Sequence, residues 1–201
     1  CPMAFSESWL RLQSGLNEDS AVGEAEVLAA RKAVAEETVD DREAESRRQT
    51  AAATIGAWLR PMADDLRTEM AGVQAAVEAL GFHAGEDPRE TNPKEDARYD
   101  GLLGLILERL QGQGSWLDTE RLVVFTEYKT TLDYLLRRLR ADLGDDRRIL
   151  RLFGGMVDAE REGIKNAFND PEDPVRILLA TDAASEGLNL QETARYLLHY
   201  D

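Results

Sequence analysis

Up to residue 80 the apolar positions recur three and four apart. After residue 97 short unbroken apolar runs alternate with helical stretches. In the first part, Phe5, Trp9, Leu12 and Leu16 share one side of a helix expected over 3–16. Gly15, Asn17, Asp19, Ser20 and Gly23 then form a loop. From Glu24 the pattern is helical, Ala-rich and highly charged, with few apolar residues between Val39 and Ala51. Asp40 and Glu43 have capping-box spacing, so a break and restart is expected near them. Pro61 ends or kinks this helix. Leu66, Met70, Val73, Val77 and Leu80 mark the next helix, and Gly81 suits its C-terminal cap. Residues 83–93 are polar, with Gly85, Pro88, Asn92 and Pro93, and are the expected linker.

Beyond the linker the elements alternate. Helices are expected over Ala97–Gln111, Lys129–Leu143 and Val157–Phe168, each with an apolar stripe. Strands are expected over Arg121–Thr126, Ile149–Phe153, Arg176–Ala180 and Tyr196–Tyr200. The Leu-Val-Val-Phe run at 122–125 is apolar at every position, as in a strand covered on both faces. This order argues an α/β fold, a parallel sheet with right-handed crossovers flanked by helices and preceded by an all-helical region. The expected division is 1–92 and 93–201.

The chain has 201 residues and a net charge of −15, against a large generic nucleic-acid surface. The acid is uneven: residues 1–97 hold 10 basic and 20 acidic side chains, residues 98–201 hold 14 and 19. The second part has room for a local basic stripe, and Arg137, Arg138, Arg140, Arg147, Arg148 and Arg151 offer one. The plainer reading of that run is a solvated helix face and a loop. There is no run of 18 apolar residues and no signal-peptide pattern, so no membrane is expected. One Cys and two His make neither an internal disulfide nor a metal-ligand cluster. These features suggest a cytoplasmic protein. The start on Cys1 and the end at Asp201, just after an apolar run, suggest a fragment of a longer polypeptide.

Three strand ends carry polar or glycine-rich residues: Thr126-Glu127, Gly154-Gly155 and Thr181-Asp182. In a parallel sheet they lie on one edge, where ligands of open α/β sheets bind. Small residues after Thr181 let a phosphate or ribose approach the main chain, and Gly154-Gly155 precedes a helix N-terminus. The bland alternatives are a tight turn at Gly154-Gly155 and helix N-caps at Thr181 and Asp182. No Gly-x-x-x-x-Gly-Lys-[Ser/Thr] loop and no Asp-Glu pair at a strand end is present, so nothing cradles a triphosphate or holds Mg²⁺ in the usual way. His83 reads as a loop residue and His199 as a core-edge residue. This lobe reads as an anion binder without the parts to hydrolyse a nucleotide alone.

These residues carry a resemblance. Leu122-Val-Val-Phe-Thr-Glu-Tyr-Lys-Thr-Thr-Leu-Asp-Tyr-Leu135 resembles helicase motif IV. Leu152-Phe-Gly-Gly-Met156, Arg161 and Phe168-Asn169 resemble the next segment. Ala180-Thr-Asp-Ala-Ala-Ser-Glu-Gly-Leu-Asn-Leu-Gln191 resembles motif V, and Leu197-Leu-His-Tyr-Asp201 the strand before motif VI. Together, over about 93–201, they resemble the second RecA-like lobe of superfamily 2 helicases. The Ser-Glu-Gly-Leu-Asn-Leu-Gln wording is similar to the SWI/SNF-type group, including bacterial HepA/RapA-like ATPases.

The resemblance implies an ATP-driven motor of two lobes acting on nucleic acid, double-stranded DNA by this wording, in a bacterial nucleoid-associated setting. It implies that ATP and Mg²⁺ are bound mainly by an N-terminal RecA-like lobe of the same polypeptide. Thr126, Gly154, Gly155 and Thr181 would face the nucleic-acid backbone, and Glu186, Gly187 and Asn189 the ATP ribose and phosphates. Arg161, Asp182 and Gln191 would be motif residues that order the lobe. No catalytic residue is expected here, since motif VI with its arginine finger would follow Asp201, so the fragment is expected to be inactive. Residues 1–92 would lie between the lobes as insertion or brace helices, or bind a protein. Their acidity argues against a place on DNA. The alternatives are a non-enzymatic interaction module with a degenerate RecA-like domain, and an RNA helicase lobe.

Overall fold

The computed structural model describes residues 1–19, 21–112, 114–185, 189–190 and 192–200. It divides into two compact units, Cys1–Thr38 with Glu43–Glu95, and Val39–Arg42 with Asp96–Asp201.

The first unit is helical: α1 (Pro2–Leu16), α2 (Glu24–Ala35), α3 (Asp41–Leu59, its first two residues grouping with the second unit) and α4 (Arg67–Ala79). Its core is small: Met3, Trp9, Ala51, Ala57, Val77 and Phe82. Helices α1 and α3 touch through glycines. A Cβ on Gly15 would lie 1.9 Å from the Ala53 carbonyl oxygen, and one on Gly56 would lie 2.0 Å from that of Leu12. Only hydrogen at both positions permits that approach. The Trp9 indole N–H donates to Gln74 Oε1 at 2.8 Å, fixing α4 to α1. Helix α4 ends in a Schellman motif: Gly81 N–H donates to Glu78 O and Phe82 N–H to Val77 O, with Gly81 at φ 97°.

The second unit holds α5 (Ala97–Arg109), β1 (Gln111–Gly112), β2 (Ser115–Trp116), β3 (Leu122–Thr126), α6 (Lys129–Leu143), β4 (Ile149–Leu152), α7 (Asp158–Asn169), β5 (Ile177–Thr181) and β6 (Tyr196–His199). Strands β4-β5-β3-β6, in that order, form one sheet, parallel at every pairing. Every residue of β3 and β5 is buried, as central strands between helical layers should be. Each large aliphatic there contributes about 2 kcal/mol of transfer free energy.

Three features differ from the sequence expectation. A two-residue hairpin, β1–β2, follows α5 where a longer helix was expected. Strand β5 runs on to Thr181, because Thr181 still pairs in register with Thr126. Residues 39–42 group with the sheet unit and not with the helices around them.

The amino end of the sheet is closed by two arginines. Arg121, 1% exposed, donates to the carbonyls of Ala167, Phe168, Asp170 (2.5 Å) and Asp173 (3.1 Å), and so takes up acceptors where α7 ends. Arg176 donates to the carbonyls of Leu117, Asp173 and Val175 and to Asp118 Oδ1 at 2.8 Å. On the α5–α6 side, Tyr99 donates to Asp142 and Tyr134 to Asp96, both at 2.6 Å, while Arg138 lies 3.6 Å over the Tyr99 ring.

Candidate functional site

Strands β4, β5 and β3 are adjacent and parallel, so Thr126, Thr181 and the Phe153-Gly154-Gly155 turn reach the same sheet edge. Thr126 pairs with Thr181, and Leu152 with Ala180, which brings the turn after β4 over the end of β5. The Gly154 amide donates to Thr181 Oγ1 at 3.3 Å. Thr126 and Thr181 are 2% and 0% exposed, so their hydroxyls are held in place by the sheet.

The centre of this edge is occupied by a residue that sequence reasoning missed. Asp41 Oδ2 accepts from the Gly154 amide at 2.5 Å and from the Thr181 hydroxyl at 2.6 Å. The Asp41 amide donates back to the Gly154 carbonyl at 3.3 Å. A Cβ on Gly154 would lie 2.1 Å from the Val39 carbonyl oxygen, and one on Gly155 2.6 Å from the Asp40 carboxyl carbon. Gly155 has φ 84°, so both glycines are required, Gly154 by space and Gly155 by its backbone. Asp41 opens α3, and Asp40 Oδ1 accepts the Arg42 amide at 2.9 Å, so in sequence the pair reads only as a helix start.

Beside the turn, the Phe153 ring carries three cations: Arg42 and Lys129, each 5.1 Å from the ring centroid, and Arg151 at 5.7 Å. Lys129 and Arg151 share the Asp133 carboxylate. The edge is thus two neutral donors on one anionic oxygen, with a basic rim.

The arginine run has a different role. Arg138 donates to the Tyr134 hydroxyl, Arg147 and Arg148 to Asp145, and Arg148 also to the Pro174 carbonyl. Arg140 pairs with Asp146 at 3.4 Å, and Arg137 lies 6.0 Å from the Tyr134 ring centroid. The run therefore fastens α6 and the 145–148 turn internally.

The motif residues further on fall in separate places. Asp182 is exposed, and its carbonyl accepts from the amide and hydroxyl of Ser185. Arg161 on α7 donates to the Ala184 carbonyl at 3.3 Å and so ties α7 to that turn. Asn189 is exposed, and its carbonyl accepts from Asn169 Nδ2 at 2.8 Å. Glu186, Gly187 and Gln191 lie outside the described residues. An open pocket of about 320 Å³ beside β6 is bounded by Phe125, Ser185, Leu190, Ala194 and Leu197. The described side-chain donors of 181–190 are the Thr181 and Ser185 hydroxyls, which donate to Asp41 and to the Asp182 carbonyl, and the Asn189 amide. Among the described residues no group of three or more His, Cys, Asp or Glu is placed to hold a metal ion. No helix among them is long and apolar enough to cross a membrane.

Residues 105–201 match the helicase conserved C-terminal domain family. A stretch of 125 residues is 34% identical to the DNA repair protein rhp54 of Schizosaccharomyces pombe, covering 60% of this chain and 14% of that protein. Over 84 residues the chain is 31% identical to the SNF2 domain-containing protein CLASSY 3 of Arabidopsis thaliana, covering 39% of this chain and 6% of that protein. Over 107 residues it is 28% identical to the DEAD-box ATP-dependent RNA helicase 20 of Oryza sativa subsp. japonica, covering 53% and 19%. The crystal structure of the C-terminal part of the Fun30 ATPase domain aligns over 99% of this chain and 71% of that one, with a TM-score of 0.44 and 14% identity. The chain thus spans less than a fifth of the curated relatives it matches. The match to the helicase C-terminal domain family takes in α6, α7 and the whole four-stranded parallel sheet. The similarity to the SNF2 domain-containing protein CLASSY 3 and to rhp54 thus stands beside one of comparable extent to a DEAD-box RNA helicase.

Proposed function

We propose that this chain supplies the second motor lobe of an ATP-driven translocase that moves along double-stranded DNA. The observation that carries this reading is the meeting of the Gly154 amide and the Thr181 hydroxyl on a single anionic oxygen at the sheet edge. Two fixed neutral donors on one oxygen suit a phosphodiester and carry no base information, so strand contact there is sequence-independent. Thr126 and Gly155 complete that contact. The basic rim of Arg42, Lys129 and Arg151 draws the strand toward the edge.

Asn189, with Glu186 and Gly187, faces the ATP ribose and phosphates when the two lobes close. ATP and Mg²⁺ are held mainly by the N-terminal lobe of the same polypeptide, and ATP supplies the free energy of the closing and opening cycle. Asp182, Arg161 and Gln191 order the turn between the two contacts, Arg161 through its bond to the Ala184 carbonyl. Residues 1–92 position the lobes or bind a protein. The protein works where its DNA is, in the cytoplasm and nucleoid of a bacterium.

A second reading, an RNA helicase lobe, draws on the 28% identity with the DEAD-box relative. One assay separates the two: ATP hydrolysis by the intact polypeptide with duplex DNA, single-stranded DNA or RNA. The proposal expects stimulation by duplex DNA and no measurable turnover by the 201-residue chain alone. Stimulation by RNA only would favour the second reading, and turnover by the chain alone would contradict the first.

A further inference from the structure

We infer that Asp41 is an internal ligand of the Gly154–Thr181 cradle, a carboxylate that occupies the position of a backbone phosphate and must leave before a strand can bind. The inference rests on the phosphate reading of that edge and deepens it.

Four observations carry it. Both donors of the cradle are spent on the same atom, Asp41 Oδ2, at 2.5 and 2.6 Å. An ionised acceptor makes these the strong, short kind of hydrogen bond. The approach is close: the Val39 backbone carbonyl sits where a side chain on Gly154 would be, and the Asp40 side-chain carboxyl lies against Gly155. Segment 39–42 therefore lays two consecutive acidic residues along the turn. It also groups with the sheet unit, although the chain on either side of it belongs to the helical one.

The fourth observation is the missing countercharge. Asp41 is 4% exposed, yet among the described residues it forms no ion pair. A buried carboxylate held by neutral donors alone keeps much of its desolvation cost. A cation beside it would offset that cost. A carboxylate held this way is suited to exchange with another anion. A phosphodiester offers the same kind of oxygen, and its neighbouring phosphates add contacts with the Arg42, Lys129 and Arg151 rim that Asp41 lacks. The device thus makes the lobe accept a strand only when the incoming contacts outweigh the internal one.

The test has two arms on the 201-residue chain. In the first, inorganic sulfate is titrated into the ¹⁵N-labelled chain and its Asp41→Ala variant, and the Gly154 amide resonance is followed. In the second, binding of a fluorescent DNA duplex is measured at low salt for the parent chain, Asp41→Ala, Asp41→Asn and Asp41→Ala/Thr181→Val. The inference expects sulfate to shift the Gly154 amide in Asp41→Ala and not in the parent. It expects Asp41→Ala to bind duplex about tenfold more tightly, the worth of one charge-assisted contact. Adding Thr181→Val should cancel that gain. Asp41→Asn keeps the shape and one acceptor oxygen, so it should change affinity in the same direction by less.

If neither Asp41 variant tightens duplex binding and sulfate never reaches Gly154, Asp41 is a fixed structural residue and the inference is overturned. A loss of duplex binding on adding Thr181→Val would, in that case, leave the phosphate reading standing. If sulfate reaches Gly154 only in Asp41→Ala while duplex affinity is the same in all variants, the internal ligand stands and the nucleic-acid reading of the cradle falls.

Discussion

The two ends of the central sheet are both polar and are built in opposite ways. At the amino end Arg121 and Arg176 are almost fully buried, and between them donate to the carbonyls of Leu117, Ala167, Phe168, Asp170, Asp173 and Val175. At the carboxyl end the donors are a hydroxyl and a backbone amide, beside glycines that leave room for segment 39–41. The two buried arginines of the sheet are spent mainly on its own backbone. The small neutral groups are the ones that meet on a single carboxylate oxygen. Charge alone is therefore a poor guide to the proposed binding edge of this lobe. The arginines of 137–148 teach the same, since they are engaged with carboxylates, a carbonyl and tyrosines of their own unit.

The comparison predicts its largest effect at the amino end. Arg121→Ala removes a charged donor from four carbonyls, of which those of Phe168, Asp170 and Asp173 keep a second donor, and should cost about 3 kcal/mol, since a hydrogen bond to a charged group contributes roughly 1.5–3 kcal/mol and a buried acceptor left alone costs about as much. Urea denaturation followed by far-ultraviolet circular dichroism checks this. A loss under about 1 kcal/mol would show that the α7 end finds other donors.

The helical unit gives the next effect. Gly56→Ala drives a methyl group into the Leu12 carbonyl and should cost about 1–3 kcal/mol, read in the same experiment, with Gly72→Ala as the control because nothing lies within 4 Å of that position. A smaller effect belongs to the α5–α6 tyrosines. Burial, followed by hydrogen bonding to Asp142 and Asp96, raises the pKa of Tyr99 and Tyr134. Their folded values lie above the unfolded value of about 10. Stability is therefore whole below pH 10 and falls as pH climbs from there toward the folded values. Tyr99→Phe should cost about 1 kcal/mol at neutral pH and make the alkaline decline shallower. A denaturant midpoint that falls equally steeply in parent and variant would sink that assignment.

The sheet unit was legible in the sequence because its signals are local. Leu122–Phe125 and Ile177–Ala180 are continuous apolar runs, and each intervening helix carries its own stripe. The parallel order then puts Thr126, Gly154 and Thr181 on one edge by topology alone. The β1–β2 hairpin left no trace, because two-residue strands of Gln-Gly and Ser-Trp have no period to read. Asp41 was hidden for a different reason. It meets Gly154 across 113 positions, and an Asp before a helix is already explained as a cap. The burial of Arg121 and Arg176 was equally invisible, since an arginine at a strand start reads as a solvated boundary.

The most direct measurement compares the two kinds of group in a chain carrying Asp41→Ala, where the cradle is open. Duplex DNA affinity at low salt is measured after adding either Thr181→Val, which removes a neutral donor, or Arg147→Ala, which removes an exposed cation from the arginine run. The account predicts a loss of about tenfold for Thr181→Val, and a loss within about twofold for Arg147→Ala. A large loss at Arg147 with none at Thr181 would place the nucleic acid on the arginine run and contradict the account.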